Sequence, residues 1–306
     1  MSQEQIHGGT AAWSQAWRRA NNSFYRHERA ESHFQTSIHH GLAVVTQLAS
    51  VILNEHAGYE RDEFFVIDIG SGSGRLLDQL RGLIPAEIQL MGLDIRDRPA
   101  DLPREINWRQ GHITIDTDDV TGIDGRIDGV VIAHEFLDDI PCAIVELDEQ
   151  RLPRMVLVDS LTGEEETGPA LTDAAMLDWL HRWWPPTRPG ARREIGTERH
   201  ATWRKITSIL RSGTAIAIDY AHERNDRVAG LWDGGTLKGF ARGRPRIPVP
   251  DGSMNLTAHV ALDSLAQPGS RVQTQAQVLD DRTLASWPGG LGSYSWLMQP
   301  VTSHAT

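Results

Sequence analysis

Phe64-Phe65-Val66-Ile67-Asp68-Ile69-Gly70-Ser71-Gly72-Ser73-Gly74-Arg75-Leu76-Leu77 reads as strand, turn and helix. An aromatic and β-branched run carries an acid, Asp68, near its end. Glycines follow at every second position, and leucines then return at helical spacing. That succession opens a nucleotide-binding α/β unit, and the rest of the chain can be placed around it.

Three cofactor loops begin this way. A P-loop closes on Gly-Lys-Ser/Thr, and Gly74-Arg75-Leu76 does not. A dinucleotide fingerprint needs a glycine where Arg75 stands. The acid-x-G-x-G-x-G pattern of S-adenosylmethionine (SAM) loops fits Asp68, Gly70, Ser71, Gly72 and Gly74 at each place. The glycines are expected to let the cofactor approach the backbone, with the next helix turning free N–H groups toward it. Asp68 is expected to face the cationic methionine end. The next strand, Ile88 to Leu93, runs into Asp94, about 20 residues on, where an acid accepts ribose hydroxyls in related folds. The adenine pocket is expected at Gly111 and His112, after the third strand.

The fourth strand, Ile127 to Ala133, is apolar enough to be central and buried on both faces. It runs into His134-Glu135-Phe136-Leu137-Asp138-Asp139-Ile140-Pro141. A carboxylate here can bind a cationic acceptor such as a guanidinium and orient its nitrogen. Glu135 and Asp138 are three apart, so one helical turn would place them on one face. The competing reading is a capped helix start, with its charges in solvent.

Around this core, Trp13 to Ala20 reads as a helix stopped by Asn21-Asn22-Ser23. Ile38 to Leu53 reads as an amphipathic helix through Leu42, Val45, Leu48, Ala49, Ile52 and Leu53. Ala143 to Leu147 and Met155 to Val158 read as a hairpin, Gly163 to Pro169 as a polar loop, and Leu171 to Trp184 and Glu198 to Leu210 as helices. Thr214 to Asp219 returns to the main sheet. Gly230 to Pro250 reads as a loop, and its Arg242-Gly243-Arg244-Pro245-Arg246 as solvated charge. Final strands are expected at Val272 to Val278 and Tyr294 to Met298. The expected boundaries are an N-terminal helical segment over 1–60, a SAM-binding α/β core over 61–142, an inserted hairpin and helical cap over 143–200, and the second half of the core over 201–306.

The 306 residues carry a formal charge of -11 and a single cysteine, Cys142. The acidic balance argues against non-specific nucleic-acid binding. One cysteine rules out an intramolecular disulfide and a cysteine-rich zinc module. No secretory signal or membrane-spanning run is legible, so the expectation is a cytoplasmic protein without membrane insertion. No metal site is expected: His39-His40 has no partner at ligand spacing. Oligomeric state is not legible.

In several segments taken together, the chain resembles the MidA-like SAM-dependent methyltransferases. The segments are Phe24-Tyr25, His33-Phe34-Gln35-Thr36-Ser37, the glycine loop, His134 to Pro141, Ala217-Ile218-Asp219-Tyr220-Ala221-His222 and Asn255-Leu256-Thr257-Ala258-His259-Val260, in the family's order. The resemblance implies a Rossmann-like, seven-stranded class I SAM methyltransferase sheet with an inserted cap. It also implies methylation of a nitrogen, above all a protein arginine. His134, Glu135 and Asp138 would then serve the acceptor nitrogen, with Asp219, Tyr220, His222, Thr257 and His259 on the substrate side. Three departures fall on that side. Ile38-His39 stands for the family's proline and acid, His134 for asparagine, and Asp139 for alanine. His134 and Asp139 motivate one alternative, O- or N-methylation of a small metabolite; a second, a non-catalytic assembly factor that keeps the fold, has the intact glycine loop against it.

Overall fold

Every residue of the strand Ile127–His134 is buried, in keeping with its apolar run from Val130 to Ala133. The computed structural model describes residues 9–27, 42–59, 63–111, 126–281 and 294–302. In chain order the elements are β1 (Thr10–Ala12), α1 (Trp13–His27), α2 (Ala43–His56), β2 (Phe65–Ile69), α3 (Arg75–Arg81), β3 (Gln89–Asp94), β4 (Ile106–Gln110) and β5 (Ile127–His134). A largely antiparallel stretch follows: β6 (Ala143–Leu147), β7 (Pro153–Asp159), β8 (Glu165–Ala170), α4 (Ala174–Trp183) and β9 (Arg192–Ile195). The rest is α5 (Thr197–Ser208), β10 (Leu210–Tyr220), α6 (Arg224–Val228), β11 (Lys238–Ala241), β12 (Arg244–Arg246), β13 (Asn255–Thr257), α7 (Leu262–Leu265), β14 (Arg271–Thr274), α8 (Gln275–Val278) and β15 (Tyr294–Val301).

The chain divides into two compact units. One, the α/β unit, comprises Gln35–Leu137, Ala201–Asp219 and Ala266–Thr306. Its described residues build a seven-stranded sheet in the order β14-β15-β10-β5-β2-β3-β4. The strands from β10 to β4 pair in parallel, while β14 and β15 pair antiparallel, so the sheet is mixed. The core is the β-branched interior of β2, β5 and β10 with Leu76, Leu77 and Leu80 of α3. Helix α2 buries Val44, Val45, Leu48, Ala49 and Ile52; Leu42 and Leu53, which the periodicity also marks, are exposed. Parallel pairing brings the carboxyl ends of β2, β3 and β5 to one edge, where ligands bind in such sheets.

The other unit comprises Met1–Phe34, Asp138–His200 and Tyr220–Leu265. Strands β1, β7, β6 and β9 form an antiparallel sheet with β8 added on β7, and β12, β11 and β13 form a second, three-stranded sheet. Two apolar clusters hold this unit. One centres on Trp13, Trp17, Ile144, Val158 and Leu256. The other joins Val145 and Ile195 to Trp179, Leu180 and Trp184.

Three local expectations are corrected. Asn21-Asn22-Ser23 does not stop α1, which runs on to His27. Trp13, Ala16, Trp17, Ala20 and Phe24 form one continuous buried stripe, and the Asn21 amide donates to the carbonyl of Asp139 at 3.0 Å; packing outweighs the low helix propensity of asparagine. The polar stretch around Gly163 to Pro169 contributes a strand, β8, paired antiparallel with β7. Within Gly230 to Pro250 lies the β11–β12 hairpin, whose turn is the exposed arginine-rich segment.

Candidate functional site

Asp68, on the buried strand β2, and Asp94, at the end of β3, are both buried. The Ser71 hydroxyl donates to Asp68 Oδ2 at 2.7 Å. The Gly72 N–H donates to Asp94 Oδ2 at 2.8 Å. The N–H groups of Gly70 and Ser71 donate to the carbonyl of Leu93 at 2.8 and 3.2 Å, and that of Gly111 to the carbonyl of Asp94 at 2.8 Å. The loop is thus tied to the end of β3 through its own amides. Asp94 also accepts the backbone N–H and the Nε of Arg96, at 2.9 and 3.0 Å. Asp68, Ser71, Gly72, Asp94 and Gly111 therefore form one assembly. His112 lies outside the described residues.

The glycines have a reason besides cofactor approach. Gly70 and Gly74 hold φ of +70° and +74°. A Cβ on Gly70 would stand 2.5 Å from Phe136 Cδ2, and one on Gly74 would stand 2.5 Å from Leu102 Cδ1. Both the left-handed turn and the close fit of neighbouring side chains exclude a side chain there.

Burial pushes the Asp68 carboxyl up to about 7, reinforced by the charge of Asp94 and opposed by the Ser71 bond. A site built from two buried acids, with no cation paired to Asp68 among the described residues, fits a ligand that carries positive charge.

At the end of β5, His134 Nε2 lies 3.4 Å from Glu135 Oε1, with both side chains buried. Glu135 holds a φ of +50°, a conformation uncommon for a side-chain-bearing residue and found where surroundings over-determine it. The Leu137 N–H donates to Asp219 Oδ2 at 2.9 Å, so the acid ending β10 fastens the turn after β5. That turn is not helical, so neither a shared helical face nor a capped helix start describes Glu135 and Asp138. The boundary between the two units also falls between Leu137 and Asp138.

In the second unit Asp138 is buried. Asp139 accepts a hydrogen bond from the Tyr25 hydroxyl, which also lies 3.0 Å from Asn255 Oδ1. Burial and the Asp138 charge push the Asp139 carboxyl well above the usual range, and the Tyr25 bond counters them. Arg199 binds the surrounding backbone. Its Nε, Nη1 and Nη2 donate to the carbonyls of Ile140, His259 and Asp138 at 3.1, 2.7 and 2.9 Å.

Tyr220 stacks on His259 with ring centroids 5.8 Å apart, and the His259 ring centroid lies 6.3 Å from that of His222. Burial, then the charges of Lys238 and Arg199, pull the His259 imidazole down to about 4. Burial and the Arg227 guanidinium hold His222 well below its usual range. Thr257 pairs with Lys238 between β13 and β11. Sequence reading missed Tyr25, Arg199 and Asn255 as parts of this cluster. Tyr25 and Asn255 lie inside segments it had singled out, whereas Arg199 sits in a helix with no motif. Among the described residues, no group of three or more His, Cys, Asp or Glu side chains is arranged to hold a metal ion, and no helix is long and apolar enough to cross a membrane.

Residues 47–279 match the model of a family of S-adenosyl-L-methionine-dependent methyltransferases, Methyltransf_28. The chain belongs to that family and is a SAM-dependent methyltransferase, as the MidA-like resemblance implies. Two solved structures share the fold. A COG1565 superfamily member from Burkholderia thailandensis, bound to S-adenosyl-homocysteine, is 18% identical with a TM-score of 0.74, the match covering 95% of this chain and 87% of that one. A native COG1565 superfamily structure from the same organism is 18% identical with a TM-score of 0.73, covering 96% and 88%. No curated protein matches the sequence.

Proposed function

We propose that the chain transfers the SAM methyl group to a nitrogen acceptor, most directly the guanidinium of a protein arginine. The observation that carries this reading is the buried Glu135 carboxylate, held in a left-handed conformation at the end of the central strand, with His134 beside it. A carboxylate accepts two N–H groups of a guanidinium side by side, which positions the third nitrogen for in-line attack. SAM supplies a methyl group activated by its sulfonium. Asp68 holds the positive charge of the methionine end, Asp94 accepts the ribose hydroxyls, and Gly70, Ser71, Gly72, Gly74, Gly111 and His112 frame the cofactor. The His134–Glu135 pair takes the acceptor's proton. Asp138, Asp219, Tyr220, His222, Thr257 and His259 belong to the acceptor side. The strand order β4-β3-β2-β5-β10-β15-β14 supports the class I SAM methyltransferase sheet, with residues 143–200 as its inserted cap.

Calorimetric titration with SAM, on wild type and Glu135→Gln, tests the assignment. Both proteins should bind SAM alike, and only the variant should lose methyl transfer. Equal transfer by the two would remove Glu135 from the acceptor site.

A further inference from the structure

A small cavity in the second unit is lined by Trp179, Glu194, Arg199, His222, His259 and Ser264, among others. It has room for about one water molecule. Three of its lining side chains are short of a hydrogen bond, and their chemistry is complementary.

Arg227 is the starting point. It is fully buried. Its Nε donates to the carbonyl of Trp183 at 3.0 Å, and its Nη2 to both oxygens of Asp263 at 2.9 and 3.0 Å. Its Nη1 donates to the carbonyl of His222 at 2.6 Å and reaches His222 Nδ1 at 2.8 Å. A guanidinium has donors only, so His222 Nδ1 accepts and the ring proton of the neutral imidazole sits on Nε2. That Nε2–H is buried and has no partner among the described residues.

Glu194 supplies the opposite deficit. Its Oε1 accepts the N–H groups of Thr236 and Leu237 at 2.7 and 3.2 Å. Its Oε2 is buried with no partner among the described residues, and so is His259 Nδ1. Leaving a buried donor, a buried carboxylate oxygen and a ring nitrogen unpaired is unfavourable for each group. Ser264 does not relieve them: its hydroxyl donates to the carbonyl of Ala261 at 2.7 Å and lies 2.8 Å from His200 Nε2.

We propose that this cavity is a binding site for one ordered water, which accepts from His222 Nε2–H and donates to Glu194 Oε2 and His259 Nδ1. One water then satisfies all three atoms with three bonds, the usual number for a buried water. The separation of the two imidazoles, 6.3 Å between centroids, suits a single bridging molecule. The bridge fixes His259, like His222, as the tautomer protonated on Nε2. Together with Asp263, Arg227 and the two amides on Glu194 it makes one continuous network. Within the methyl-transfer reading, which this clause alone rests on, neither histidine then offers a free basic nitrogen toward this cavity, and the acceptor's proton goes elsewhere.

Two measurements on the unaltered protein test the site. Long-range 15N–1H correlation spectra of 15N-histidine-labelled protein near neutral pH report tautomers directly, with His222→Gln and His259→Gln used only to assign the signals. Both rings should show the Nε2–H pattern. A high-resolution crystal structure should show a water within about 3 Å of the three named atoms. An Nδ1–H tautomer at either ring, or a cavity that holds no water or something other than water, would overturn the proposal. Failure of methyl transfer would leave it untouched, since neither readout depends on activity.

Discussion

The Phe136 ring occupies the space that a side chain on Gly70 would need, its Cδ2 lying 2.5 Å from where that Cβ would be. The cofactor loop and the turn after β5 are therefore fitted to each other within the α/β unit. Gly70→Ala adds this clash to the cost of a left-handed alanine. It should destabilise the protein by about 2–4 kcal/mol in urea denaturation. Gly70→Ala with Phe136→Ala should cost less than the sum of the two single variants, because the clash is then absent. Strict additivity would show that the ring does not matter to the loop.

With Asp68 holding the methionine end as proposed, SAM binding should depend on pH. Its carboxyl is raised from 3.8 to about 7 in the folded protein by burial. Its contribution to folding stability is therefore greatest below the unfolded value and is lost as pH rises through about 7. Ligand-free wild type should lose melting temperature relative to Asp68→Asn as pH rises from about 5 to 8. A cationic ligand needs the ionised acid, so SAM affinity should fall about tenfold for each pH unit below 7. Titrations at several pH values check this; an affinity flat between pH 5 and 8 would contradict the role of Asp68.

Asp94 holds Gly72 and Arg96 and is assigned the ribose. Asp94→Ala should weaken SAM binding by about 1–3 kcal/mol, read by calorimetry. Arg81→Ala, which removes an exposed pair with Asp78, should leave the affinity as it is. Equal affinity for wild type and Asp94→Ala would detach the acid from the cofactor.

Arg199 joins three backbone carbonyls that span the Asp138–Ile140 turn and His259. Arg199→Met removes a buried donor from each of them, although the Asp138 carbonyl keeps the Ala258 N–H at 3.1 Å, and should cost about 2–4 kcal/mol in denaturation experiments. Arg199→Lys keeps the charge but not the fork, and should recover only part of that loss.

The parts legible in the sequence are those set by local pattern. The apolar and aromatic run from Phe64 to Ile69, the glycines and the apolar run Ile127 to Ala133 locate β2, its loop and β5 within a residue or two. The hairpin Ala143 to Val158 is likewise found as β6 and β7. What stayed hidden depends on distant partners. Asn21-Asn22-Ser23 looks like a helix stop until the stripe from Trp13 to Phe24 meets Leu256, whose carbonyl takes the Trp17 indole N–H at 3.0 Å. β8 is polar because it lies at the sheet edge, exposed at every position but Gly168, and its Glu165 is held by Trp13 and Arg192. Arg199 gives no local signal, since its worth lies in carbonyls about 60 residues away in either direction. The Tyr25–Asp139–Asn255 cluster joins three segments that spacing alone cannot bring together.

The central claim is methyl transfer to a protein nitrogen. Incubating the protein with methyl-labelled SAM and extract depleted of other methyltransferases, then hydrolysing the protein fraction and separating its amino acids, tests it most directly. The account predicts label in methylarginine with wild type, and a loss of about a hundredfold or more with Glu135→Gln. Label confined to small molecules, or unchanged by that substitution, would contradict it.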